Sequence, residues 1–160
     1  MIGQEAFSVT RNTTLATLPI LYKEFDVKLE INVNNFPNSW VNVFHMTIGG
    51  NGDVYGNRIP ALFGNGGSNP YLHVCSAING QSNYCKNFYI STNTWITVRI
   101  SQRRRMNGTY VYEYVINNKL VDSVINNQPA EFKNVKVFAS DPWYPPFSGS
   151  LRNIEICFIG

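Results

Sequence analysis

The chain has 160 residues and a formal charge of +3, with 44% hydrophobic and only 14% charged residues. That length fits one domain with its own core, while the small charged share and a longest basic run of Arg103-Arg104-Arg105 exclude a nucleic-acid-binding face. No apolar run reaches the length a membrane-spanning helix needs, and plentiful aromatic and β-branched residues exclude a disordered chain.

In chain order, residues 6–9 open the chain and residues 15–21 read as a short strand whose Pro19 suits an edge. Residues 25–33 alternate apolar and polar without a break, which predicts a strand with one wet face. A loop over 34–39 precedes a strand over 40–48, with Val41, Val43 and Phe44 directed inward. Residues 49–58 form a long Gly/Asn-rich loop, followed by short strands at 59–63 and 71–77 with a second glycine-rich loop between them.

Cys75 and Cys85 flank a predicted hairpin. A strict two-residue Asn79-Gly80 turn places Cys75 opposite Tyr84; a three-residue loop over 79–81 places the cysteines opposite each other, within disulfide reach. The bridge is the expectation, and two unrelated buried thiols are the alternative. Cys157 is left over, as a core thiol or the partner of a segment elsewhere.

Residues 95–101, 110–116 and 120–125 alternate in succession and predict a three-stranded meander. Its first turn carries Met106-Asn107-Gly108. Its second is Asn117-Asn118, residues that tolerate the positive φ a two-residue hairpin needs. A connector over 128–132, a strand over 135–139, an irregular segment over 141–148 and a last strand over 151–159 complete the chain. Short strands at regular spacing and no helical apolar stripe predict a single all-β domain over residues 1–160, a two-sheet sandwich or a barrel.

The start Met1-Ile2-Gly3 lacks the basic and apolar regions of a signal peptide, so the protein is cytosolic or its signal has been removed. Two glycosylation sequons, Asn12-Thr13-Thr14 and Asn107-Gly108-Thr109, fit the second option.

Catalysis is not expected. A retaining glycosidase needs two carboxylates about 5 Å apart, and neither Glu24, Asp26 and Glu30 along one strand nor the isolated Glu155 supplies that pair. No serine-nucleophile elbow, zinc-binding HExxH or phosphate loop occurs. The one cofactor the residues could hold is calcium. Asn51, Asp53 and Asn57, among glycine carbonyls, offer the oxygen ligands it takes, with Asp141 joining if its loop folds back. The alternatives are a plain hairpin loop and an Asp141 that caps the turn before Pro142.

Sugars bind through an aromatic platform and nearby amides and hydroxyls. Trp143 and Tyr144, held between prolines, form a candidate platform, with Tyr55, Asn57 and Arg58 as the polar complement. An aromatic lid over one end of the core is the competing reading of Trp143-Tyr144. His45 and His73 lie in strands and read as core or sheet-face residues rather than a metal pair.

Trp95, Val98 and Ile100 open a strand before the Asn117-Asn118 hairpin, and Phe147-Ser148-Gly149-Ser150-Leu151-Arg152-Asn153-Ile154-Glu155-Ile156 ends the pattern. From Phe25 onward the chain resembles a laminin-G-like domain of the concanavalin A-like lectin/glucanase superfamily. The resemblance implies an antiparallel two-sheet jelly roll, a glycan-binding or adhesion role, and calcium at a rim. Two departures stand out: Ser150 occupies the place of the laminin G cysteine, and the galectin H-x-N-P-R motif is absent. The expectation is a secreted or cell-surface, non-catalytic, lectin-like module whose rim loops and meander face recognise a glycan or glycoprotein. A structural adhesion module that binds protein or self-associates is the alternative.

Overall fold

The computed structural model describes residue 2 and residues 5–159; Met1 and Gly3 of the start considered above lie outside them. Twelve strands form two six-stranded antiparallel sheets, with no helix among the described residues. The strands are β1 (Phe7–Ser8), β2 (Thr14–Leu21), β3 (Glu24–Asn35), β4 (Val41–Thr47), β5 (Ala61–Asn65) and β6 (Tyr71–Ile78), then β7 (Gln81–Tyr89), β8 (Trp95–Arg104), β9 (Tyr110–Ile116), β10 (Lys119–Asn126), β11 (Phe132–Phe138) and β12 (Ser148–Ile159). One sheet runs β1-β12-β3-β8-β9-β10, and the other β2-β11-β4-β5-β6-β7.

The alternation of residues 25–33 is realised in β3, whose Phe25, Val27, Leu29, Ile31 and Val33 are buried. They face Val43, Phe44, Met46, Leu62, Leu72, Val74, Val135 and Val137 of the other sheet in one continuous core. Stacked antiparallel sheets bury one face each, so this interleaving follows from period-two patterning on both sides. The meander pairs as expected, β8 with β9 and β9 with β10, and Asn117 and Asn118 both take positive φ (50° and 64°). The last-but-one strand starts earlier than its sequence pattern indicates, because Phe132 and Lys133 pair with β2.

Cys75 and Cys85 are bridged, as expected, with Cα atoms 4.1 Å apart. The loop that aligns them differs from the expected three-residue one. Asn79 and Gly80 make a two-residue turn at φ 54° and 77°, and Ile78 pairs with Gln81. A β-bulge between Ser76 and Ile78 then shifts the register so that Cys75 meets Cys85. One extra residue in a strand does the work assigned to a longer loop.

The β6–β7 hairpin also ties the sheets together at their edges. Lys86 pairs with Asp122 of β10 at 3.0 Å, and the backbone of Asn79 donates to Asn126 Oδ1. Both sequons lie in turns with exposed asparagines, Asn12 and Asn107. The leftover Cys157 is exposed rather than a core thiol.

Candidate functional site

The second sheet carries a polar and aromatic cluster on its outer face. In β4, which is buried along its whole length, Asn42 and His45 point away from the main core. Something must cover these groups, since a buried polar atom without a partner is costly. The cover is the segment 141–146.

Asp141 holds that segment down. It is fully buried, and its Oδ2 accepts from His45 Nδ1 at 2.7 Å. Its Oδ1 accepts from the backbone N–H groups of Trp143 (3.0 Å) and Tyr144 (2.8 Å). His45 Nε2 lies 2.7 Å from the carbonyl of Asn57, so the imidazole has an acceptor at each nitrogen. Asn42 accepts from the Asp141 N–H, donates its side-chain amide to Leu62 O, and exchanges backbone bonds with Pro145 and Phe147. Arg11 adds hydrogen bonds to Pro142 O. Trp143 is thereby laid against His45 (5.4 Å between centroids) and Phe138, and Tyr144 against Phe63 (5.1 Å).

Beside Tyr144 lies an open groove of about 290 Å³ lined by Trp40, Arg58, Phe63, His73, Asn83 and Tyr144. Trp40, 40% exposed, stands over His73 at 4.6 Å and meets the edges of Phe63 and Tyr71. The Arg58 guanidinium stacks on Phe63, 4.7 Å from its centroid, and donates to Asn51 O, Asn51 Oδ1 and Asn83 Oδ1. His73 Nδ1 meets Asn87 Oδ1 at 2.5 Å, which puts its proton there and leaves Nε2 as an acceptor. Burial lowers His73 below its ordinary pKa, partly opposed by the Asn87 hydrogen bond, and the Arg58 charge adds to the lowering.

Of the residues proposed from sequence, Arg58 and Tyr144 meet in this groove, and Trp143 stands next to Tyr144 in the segment that walls it. Tyr55 points elsewhere: its hydroxyl lies 2.8 Å from Gln128 O and 3.2 Å from Ala77 O and donates its one hydrogen between these two carbonyls, its ring packs near Phe132, and burial pushes its pKa up. Asn57 is buried and shapes its own loop, accepting from Gly50 N and donating to Gly52 O. Of the suggested cation ligands, Asn51 and Asp141 are engaged in separate places. Asn51 holds Arg58, Asp141 holds His45 and the aromatic segment, and Asp53 is an exposed loop residue at φ 66°. Among the described residues the one cluster of three His, Cys, Asp or Glu ligand atoms is His73 with Cys75 and Cys85, whose sulfurs are joined to each other.

Sequence reading missed Trp40, Phe63, His73 and Asn83 as site residues. Phe63 and His73 are paired neighbours on β5 and β6, an adjacency that only the register creates. The meander's solvent face, expected to help in recognition, carries an open cavity of about 250 Å³ lined in part by Thr97, Arg99, Val115 and Asn118, and ion pairs run across this sheet. Asp26 accepts from Arg99 and Arg103, Arg105 pairs with Glu113, and Arg152 pairs with Glu30 while stacking 3.9 Å from the Trp95 centroid.

No protein-family model and no curated protein matches the chain. Solved structures do. A native heptameric SAP-like pentraxin from Limulus polyphemus superposes with a TM-score of 0.64 at 14% identity, over 98% of this chain and 76% of that one. The alginate lyase Aly36B in complex with alginate tetrasaccharide gives 0.60 at 14% identity over 96% and 80%. The carbohydrate recognition domain of Emp47p gives 0.58 at 12% identity over 99% and 87%. Two six-stranded sheets, a shared core and these superpositions identify the chain's fold as the concanavalin A-like jelly roll.

Proposed function

We propose that the protein is a non-catalytic carbohydrate-binding module, secreted or displayed at a cell surface, whose site is the groove between Trp40 and Tyr144. The observation that carries the reading is the composition of that groove: the exposed Trp40 ring and the half-buried Tyr144 ring for the apolar face of a pyranose, beside an amide, an imidazole and a guanidinium for its hydroxyls. The fold is that of a carbohydrate recognition domain and of a lyase seen with its saccharide, and the disulfide suits an oxidising compartment. The reading requires no cation; calcium at Asn51 and Asp53 would be an addition to it, detectable as chelator-sensitive binding.

A glycan array followed by calorimetry tests the reading. Trp40→Ala removes a ring that is 40% exposed and outside the main core, so the fold should persist while affinity for the captured glycan falls about tenfold or more. Undiminished affinity in a folded Trp40→Ala protein would remove the groove from consideration. Incubation with that glycan should release no shortened or unsaturated product.

A second reading, adhesion through self-association, is favoured by the edge strand β10. It exposes Leu120 (55%), Val121 (41%) and Ile125 (51%) at the outer edge of its sheet. Ile125→Lys should then convert a sedimenting dimer to monomer; a wild-type protein that sediments as monomer at high concentration removes this reading.

A further inference from the structure

We propose that the Arg58 end of the groove is an anion subsite, so that the ligand is an acidic saccharide carrying a carboxylate or sulfate on the ring bound beside Trp40. The inference rests on the reading of the groove as a sugar site and adds the chemical class.

Charge is the first ground. Arg99, Arg103, Arg105 and Arg152 each pair with a carboxylate, whereas Arg58 has no acidic partner among the described residues. None of the six groove residues is acidic. The half-buried guanidinium therefore brings an unbalanced positive charge to a cavity wall, where screening by water is weaker than on open surface.

Donor geometry is the second. A guanidinium has five N–H groups. Three of the Arg58 set are used, by Asn51 O (2.8 Å), Asn51 Oδ1 (3.3 Å) and Asn83 Oδ1 (2.6 Å), which leaves one on each terminal nitrogen. Those bonds and the Phe63 ring beneath fix the plane of the fork. Because Asn83 Oδ1 is held by Arg58, the Asn83 amide N–H groups are the part left to meet a ligand. The end of the groove thus offers donors from two residues and no carboxylate, the arrangement that suits the oxygens of an anion. A neutral sugar hydroxyl would leave the charge uncompensated.

The experiment compares matched oligosaccharides by calorimetry: a tetragalacturonate, its methyl ester, a sulfated galactan oligomer and the neutral galactan. The acidic form should bind about tenfold tighter than the uncharged one, and its advantage should shrink at raised salt. Arg58→Gln should level acid and ester while leaving neutral binding in place. Asn83→Ala, which keeps Arg58 and its Asn51 contacts, should weaken the acid by a smaller factor and guards against misfolding of the first variant. Preference for sulfate over uronate supports the subsite and names its anion. Equal binding of acid and ester by the wild type overturns the anion subsite while the sugar reading stands; a panel in which no member binds overturns both.

Discussion

Replacing Asp141 by alanine isolates the interaction on which the aromatic segment depends. The carboxylate is fully buried and accepts from His45 Nδ1 at 2.7 Å and from two backbone N–H groups at 3.0 and 2.8 Å. Its removal strands a buried imidazole beside a carbonyl acceptor and leaves two amide donors without partners. Breaking a buried pair from one side costs about 3–5 kcal/mol. In a domain of this size each kcal/mol shifts the midpoint by about 2–4 °C, so Tm should fall by roughly 6–20 °C. Thermal and guanidinium unfolding followed by circular dichroism measure this directly. A double-mutant cycle with His45→Ala should show strong coupling, because the second substitution removes the donor that the first one strands. An Asp141→Ala protein within about 1 kcal/mol of wild type would refute the reasoning, since deletion of a buried acceptor of three hydrogen bonds should not be silent. If instead chelator lowered the wild-type midpoint and left that of Asp141→Ala unmoved, the carboxylate would be a cation ligand and not the holder of this segment.

Two further outcomes follow from other parts of the molecule. Removing the bridge with Cys75→Ser/Cys85→Ser reopens a loop with a sequence separation of 10, and chain-entropy arguments place the loss at roughly 2.7 kcal/mol; a midpoint insensitive both to this change and to reductant would refute it. Burial holds His73 below its ordinary 6.5, so the unfolded chain takes up a proton first as pH falls. Stability from this residue is therefore present above 6.5 and is lost from there down toward the folded value. His73→Gln should flatten that limb of the stability profile, and an unchanged slope would show that another group sets it.

The fold was legible wherever one face of a strand is wet. The alternation of Phe25, Val27, Leu29, Ile31 and Val33 is written in the residues, as is the Asn117-Asn118 turn. The β6–β7 register was not, because a bulge changes the count of residues without leaving a mark in composition. Arg58, Trp143 and Tyr144 stood out as bulky or charged side chains within loop-like sequence. Tyr55 and Asn57 stood out for the same reason, and the structure uses them to satisfy backbone groups. Trp40, Phe63, His73 and Asn83 were invisible as a set, since strand pairing and loop packing, not sequence proximity, assemble them. Asp141 and His45 are 96 positions apart, and nothing local to either announces the pair.

The stitching of residues 141–146 to β4 bears on how a ligand is received. The ring of Tyr144 stands in place before any encounter, fixed by the buried Asp141 and by the hydrogen bond from Asn42 N–H to Pro145 O. Binding then has little chain left to immobilise, and contact energy passes into residence time instead of into ordering the receptor. A saccharide would meet a rigid shelf, with its own glycosidic torsions the main freedom surrendered on docking.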